Sequence, residues 1–383
     1  MKESSVRFLP YTDLFAAQRE NIAGYSSARL VTQPQQSRTM TVSKGAASMN
    51  PARIELHLHL DGSLNIRWAY EKSIQRGVIS RDTTFRQYYE RLFASNAKPH
   101  SISITKFDLT CSILQEAEDI EDAVYDLARR LHENGIWYAE IRFASQQHTS
   151  HGLSQLDALT AAVRGADKAM QEFHDIRINL INCLMHKGDS AAFNEQENQE
   201  AILAAEQLYG KGVCGLDLAG YENNCPYREY ASLFELAGNK GIPFTMHAGE
   251  MGIGSHILDA LQMGASRIGH GVNCLMDPDS LNALIETQTP MEICITSNVK
   301  RDMNYGGHQI LDLIALPLVL TLNSDNMMFA RTDLRNEFAQ LNMLVSDDRL
   351  LKKLAENAVR AAFCDEATRS QLYDRLARET GRL

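Results

Sequence analysis

From residue 53 onward one pattern recurs along the chain. A short β-branched, apolar run ends in polar residues or glycine, and a helical stretch follows. The runs are IELHLHL (54–60), IWYAEIRF (136–143), INLINCLMH (178–186), VCGLDLAG (213–220), PFTMHAGE (243–250), RIGHGV (267–272), MEICITS (291–297) and LVLTLNSD (318–325). Strands that alternate with helices pair in parallel through right-handed crossovers. Eight such units predict a closed (β/α)8 barrel, with a doubly wound open sheet as the rival arrangement. The helix before the second strand is the best defined. DIEDAVYDLARRLHENG has apolar residues at helical spacing, and Gly135 follows as its C-terminal stop.

The segment from about 64 to 133 is too long for one crossover. It predicts extra helices over the barrel mouth, between strands 1 and 2. The tail from about 346 to 383 reads as two helices that close the structure. Residues 51–383 are therefore expected to form one barrel domain. Residues 1–50 stand apart, with polar clusters QPQQSRT and SKGAAS and no continuous apolar core of a secretory signal. Two readings stay open for them. Met40 or Met49 is the true start behind a leader, or a real extension carries a short helix around residues 10–23.

Of the 383 residues, 44% are hydrophobic, enough to bury a large core. The formal net charge of −10 argues against nucleic acid as the main partner, because a polyanion needs a basic surface. Seven cysteines with no CxxC pair suit reduced thiols in a cytoplasmic protein. No apolar run reaches the ~18 residues of a membrane span.

Polar residues gather where the strands end, which is where a barrel places its chemistry. His57 and His59 lie two apart, so in a strand both imidazoles face the barrel interior while Leu56, Leu58 and Leu60 face the helices. Two imidazoles on one face are half of a Zn²⁺ site. For His247, ending strand 5, a buried histidine bonded to backbone is the plain alternative. For Asp325, ending strand 8, it is a helix N-cap. His270 ends strand 6 between two glycines. Together these residues at the ends of strands 1, 5, 6 and 8 point to a metal centre. Three histidines and a carboxylate suit Zn²⁺, with Fe²⁺ or Mn²⁺ compatible on ligand grounds. Glu250, three residues past His247, sits at the same rim as a candidate general acid, or else as a first-turn helix glutamate.

At this point the chain resembles the adenosine deaminase family of the amidohydrolase superfamily. The matching motifs are ELHLHLDGSL (55–64), KFD (106–108), YAEIRF (138–143), GLDLAGYE (215–222), HAGE (247–250), RIGHGV (267–272), EICITSN (292–298) and LNSDN (322–326), with NAVRAAF (357–363) in the tail. The resemblance implies one zinc per chain, held by His57, His59, His247 and Asp325. It implies Glu250 as proton donor to purine N1, His270 as the residue that orients and helps deprotonate the attacking water, and Asp325 as a further hold on that hydroxide. On the substrate side it implies Gly220 at purine N3, Asp61 at the ribose 5′-hydroxyl, Asn326 at N7, and His59 and Phe107 as further contacts. The implied reaction is hydrolytic deamination of adenosine or 2′-deoxyadenosine.

Three positions depart from the family pattern. Asn326 stands where a second aspartate is common, Tyr221 where an acidic residue is common, and Ser103 where the residue is usually apolar. An asparagine amide donates to N7 without needing a proton, so purine binding survives the first change. The departures leave open another 6-aminopurine: adenine, a modified adenine or a 5′-substituted adenosine. A non-catalytic purine- or zinc-binding protein is the reading from another class. A binuclear centre needs a carboxylated lysine near strand 4, and DLAGYE contains none.

Overall fold

The computed structural model describes residues 51–93, 106–222, 225–251, 253–301 and 309–380. The expectations for residues 1–50 and for Ser103 fall outside this range.

Eight parallel strands form the centre: β1 (Ile54–His59), β2 (Tyr138–Phe143), β3 (Arg177–His186), β4 (Val213–Gly220), β5 (Thr245–Ala248), β6 (Arg267–His270), β7 (Met291–Ile293) and β8 (Leu320–Leu322). They pair in sequence order as β1 to β4 and β5 to β8. Both remaining seams are closed. Leu216 N–H donates to the Pro243 carbonyl at 3.0 Å, and just past β8 Asp325 N–H donates to the His57 carbonyl and the Asp325 carbonyl accepts from His59 N–H, both at 2.9 Å. The open-sheet alternative is thereby replaced by a barrel. Strands buried on both faces read as near-continuous apolar runs, which is why they stood out in the sequence.

The helices Ile66–Gln75, Phe85–Phe93 and Ala117–Glu133 fill the long interval between β1 and β2, as expected. Gly135, at φ 77°, ends the last of them in the left-handed region. The tail forms helices Asp348–Ala361 and Glu366–Thr380. Their Ala355, Val359, Leu372 and Leu376 pack with Ile54, Leu56, Trp137 and Tyr138 at the start of the first two strands.

The later strands are shorter than the sequence runs suggested. The backbone leaves the ladder at Gly220, Gly249, His270 and Asp325, all at positive φ. The run MEICITS is split, with a helix from Ile295 taking its second half. An apolar run shows burial but not the point at which a strand turns into its loop.

Candidate active site

The rim of the barrel brings the expected residues together. His57, His59 and His247 offer ring nitrogens within 4.8 Å of one another, and so do His57, His270 and Asp325 as ring nitrogens and a carboxylate oxygen. His57 belongs to both groups. Asp325 Oδ1 lies 3.7 Å from His57 Nε2 and 3.5 Å from His59 Nε2, and His59 Nε2 lies 3.1 Å from His247 Nε2. His270 and Asp325 hold φ of 60° and 61°. Such backbone strain in residues other than glycine gathers at functional sites, where the surrounding fold enforces it.

The hydrogen-bond partners fix which nitrogens are bare. His57 Nδ1 donates to Glu292 Oε2 at 2.7 Å, and His247 Nδ1 donates to Asp217 Oδ2 at 2.9 Å. A carboxylate only accepts, so the hydrogen of each neutral ring is on Nδ1 and the Nε2 lone pair faces the centre. The His57 Nε2 is buried with no hydrogen-bond partner. Lone pairs that converge with a carboxylate repel one another until a cation joins them. The donor set of nitrogen and oxygen atoms, each ring backed by a carboxylate, fits a zinc-type ion.

Beneath this layer lies a network of charges that are all fully buried. Arg142 bridges the two backing carboxylates, donating to Asp217 Oδ2 at 3.1 Å and Glu292 Oε2 at 2.9 Å. Arg267 joins Glu292 to Glu140, both at 2.6 Å, and its guanidinium lies 3.7 Å from the centre of the Phe363 ring. Burial by itself would raise the carboxyls of Asp217 and Glu292. His247 and Arg142 at the first, and Arg142 and Arg267 at the second, outweigh it and hold both below the ordinary range.

Glu250 Oε1 lies 3.0 Å from His270 Nε2, at the edge of the histidine–aspartate cluster. Asn298 settles the tautomer of His270. Its Oδ1 accepts the Cys294 backbone N–H at 3.3 Å, so its Nδ2 faces His270 Nδ1 at 3.2 Å. His270 Nδ1 is therefore an acceptor, and the ring hydrogen is on Nε2, toward Glu250. Burial pushes this imidazole down to about 3, so it is neutral at physiological pH. Ser297 Oγ donates to Asp325 Oδ2, and Asn326 Nδ2 donates to Asp325 Oδ1.

The remaining expected residues line the surroundings. Asp61 is buried with Oδ1 lacking a partner, while Cys111 Sγ lies 3.6 Å from Oδ2. Gly220 sits at φ 117°, and a Cβ there would meet the His186 carbonyl oxygen at 2.7 Å, so only glycine fits. Asn326 is buried with its Oδ1 unpartnered. Phe107 is half-buried and meets Phe329 edge-on at 5.0 Å, just past Asn326. Tyr221 is exposed.

Sequence reasoning passed over Arg142, Asp217, Arg267, Glu292, Ser297 and Asn298. A signal was present for the first four. Each is a charge inside an otherwise apolar strand run, where a barrel buries it and therefore has to pair it.

A ligand set of this kind at the C-terminal rim of a (β/α)8 barrel places the molecule among the metal-dependent amidohydrolases. Comparison with known proteins narrows the class. A family model described as adenosine deaminase matches residues 52–379. The adenosine deaminase of Haemophilus ducreyi is 35% identical over 333 residues, covering 83% of this chain and 94% of its own. That of Clostridium perfringens is 32% identical over 331 residues, covering 85% and 97%. A solved structure of adenine deaminase from Arthrobacter aurescens superposes with a TM-score of 0.76 at 23% identity, covering 86% of this chain and 98% of that one, and supports the fold. The chain belongs to the adenosine deaminase family.

Proposed function

We propose that the protein is a zinc-dependent aminohydrolase that converts adenosine and 2′-deoxyadenosine to inosine and 2′-deoxyinosine, releasing ammonia. The observation that carries this reading is the convergence of bare imidazole nitrogens and the Asp325 carboxylate beside the Glu250–His270 pair. One zinc per chain, held by His57, His59, His247 and Asp325, supplies Lewis-acid activation of a water when bound.

The chain's own groups do the rest. Purine C6 has to accept an oxygen nucleophile, and N1 has to gain a proton as the ring loses aromaticity. Glu250 delivers that proton. The water gives up two protons in the course of the reaction, one to the amine, which then leaves the tetrahedral C6 as ammonia, and one that restores Glu250. The family resemblance gives His270 a share in deprotonating the water. The Asn298 contact supports a different share: the Nε2–H of a neutral ring donates to the attacking oxygen and orients it. Asp325 accepts from the same oxygen. The Gly220 backbone meets N3, Asn326 Nδ2 meets N7, and Phe107 supplies an apolar wall. Asp61, buried with an unpartnered oxygen, takes the ribose 5′-hydroxyl.

The partner is thus a small purine nucleoside. All seven cysteines are free thiols, which supports a reducing, cytoplasmic setting. Among the described residues no helix is long and apolar enough to cross a membrane.

The test is ammonia release from adenosine, 2′-deoxyadenosine, adenine, N6-methyladenine and 5′-AMP by the zinc-loaded protein. The two nucleosides are expected to show the highest kcat/KM. Faster turnover of adenine than of adenosine removes the ribose contact from the reading. Glu250→Gln should lower kcat by at least about 10²-fold with zinc still bound; full activity in that variant sinks the acid assignment.

A further inference from the structure

The turn that carries Glu250 presents three successive backbone N–H groups, and one side chain collects all of them. Glu222 accepts Gly249 N–H on Oε1 at 2.8 Å, and Glu250 and Met251 N–H on Oε2 at 2.8 and 2.7 Å. His256 adds its Nδ1 on Oε1 at 2.9 Å. The carboxylate is 3% exposed, so these four donors stand in place of solvent. Four is about the capacity of its two oxygens, which leaves nothing to offer a substrate or a metal.

The other side of the turn is held as well. The Gly249 carbonyl accepts from Asn273 N and Nδ2 at 2.9 and 2.8 Å, and the Ala248 carbonyl accepts from Gly271 N at 3.1 Å. His256 in turn is stacked on the Tyr227 ring at 4.1 Å between centroids. The backbone on which Glu250 stands is therefore clamped between the loops that follow β4 and β6.

We propose that Glu222 is a positioning residue for the proton donor. By gathering the amides of residues 249–251 it sets where the Glu250 carboxyl sits relative to His270 and to purine N1. It also ties that placement to the loop carrying Gly220, two residues earlier, so the N3 and N1 sides of the ring share one support. The inference rests on the reading of Glu250 as the acid. A neutral amide cannot replace the carboxylate. In Glu222→Gln an NH2 at either end faces a backbone N–H donor, Gly249 at one end and both Glu250 and Met251 at the other.

The experiment separates the N1 side of the ring from the rest. Purine ribonucleoside has hydrogen at C6 and no leaving amine. A site built for the tetrahedral intermediate should bind it tightly by adding water across C6 and N1, oxygen to C6 and hydrogen to N1. 1-Deazaadenosine has a C–H in place of N1 and cannot take that hydrogen. Zinc-loaded Glu222→Gln is expected to lose about 100-fold in kcat for adenosine and in affinity for purine ribonucleoside, the scale of a displaced catalytic group. KM, zinc content and 1-deazaadenosine affinity should stay at wild-type values. Equal losses for the two ligands, or wild-type affinity for purine ribonucleoside, overturn the proposal. If the glutamine variant does not fold, Glu222→Asp keeps the charge and is read by the same comparison, with a smaller loss confined to purine ribonucleoside. In a Glu250→Gln background, Glu222→Gln should add no further loss in purine ribonucleoside affinity, because the two act as one unit. A further loss there overturns the positioning role. A fully active Glu250→Gln single variant overturns the acid reading instead, and the two failures are distinct.

Discussion

The floor beneath the site and the wall above it bury ionisable groups equally well, with opposite results. In the floor, Asp217 and Glu292 are fully buried, yet facing cations hold both below the ordinary carboxylate range. In the wall, burial pushes the Asp61 carboxyl up to about 6 and the His148 imidazole down to about 4. The difference is in the partners. Arg142 and Arg267 stand between the floor carboxylates, whereas Asp61 has a thiol and backbone amides and His148 has one carbonyl. A buried charge with its counter-charge is a finished structure. A buried polar group without one is left incomplete, and at Asp61, in our reading, it is a ligand that completes it.

Removing the counter-charge from the floor is expected to have the largest effect. Arg142→Met leaves Asp217 and Glu292 buried without the guanidinium that joins them. Breaking a buried pair costs about 3–5 kcal/mol, and loss of the groups that orient metal-bound histidines lowers metal affinity by about 10–100-fold. Urea unfolding and zinc titration against a chelator measure the two. Wild-type zinc affinity in a folded Arg142→Met protein would show that each carboxylate holds its histidine unaided.

On the wall, Asp61→Ala should act on one substrate and not another. A hydrogen bond to a charged group contributes about 1.5–3 kcal/mol, so kcat/KM for adenosine should fall by about 10-fold or more. Adenine, which has no ribose, should be turned over as before, and zinc content should not change. Equal losses for both substrates would place Asp61 with the floor.

This contrast also marks what was legible in the sequence. The metal side was written in short-range patterns: His57 and His59 two apart in an alternating strand, and histidines ahead of glycine at two further strand ends. The support for these residues was not. Arg142 meets Asp217 across 75 positions and Glu292 across 150, and only a closed barrel brings them together. The strand ends were overrun for a related reason. His270 and Asp325 leave the ladder at positive φ, a conformation their residue types adopt more often than most but still rarely, so tertiary contacts decide it. Asn298 was visible within a motif, but its effect on His270 depends on the Cys294 amide that orients it.

Asn326 lies on the boundary between the two regions, because its Nδ2 donates to Asp325 while its side chain faces the substrate side in our reading. Asn326→Asp should change the adenosine to 7-deazaadenosine ratio of kcat/KM about fivefold, the value of one ordinary hydrogen bond of about 1 kcal/mol. Zinc content should hold. Loss of zinc would assign the residue to the metal rather than to the ring.

A last comparison tests a buried group for stability rather than catalysis. His148 is buried, its Nδ1 lies 2.9 Å from the Leu114 carbonyl, and its Nε2 has no partner. Burial depresses this group from its ordinary 6.5 to about 4, the Leu114 bond offsetting only part of that. Between those values the unfolded chain takes up a proton that the folded chain refuses. Stability from this group is intact above pH 6.5 and falls as the pH drops toward 4, by about 1.4 kcal/mol per pH unit. Gln in its place keeps an N–H for Leu114 and does not titrate. Urea unfolding of both proteins at pH 7 and pH 5 should show the wild type losing about 2 kcal/mol more than His148→Gln over that interval. Parallel losses would mean that the wall compensates its buried histidine as fully as the floor compensates its carboxylates.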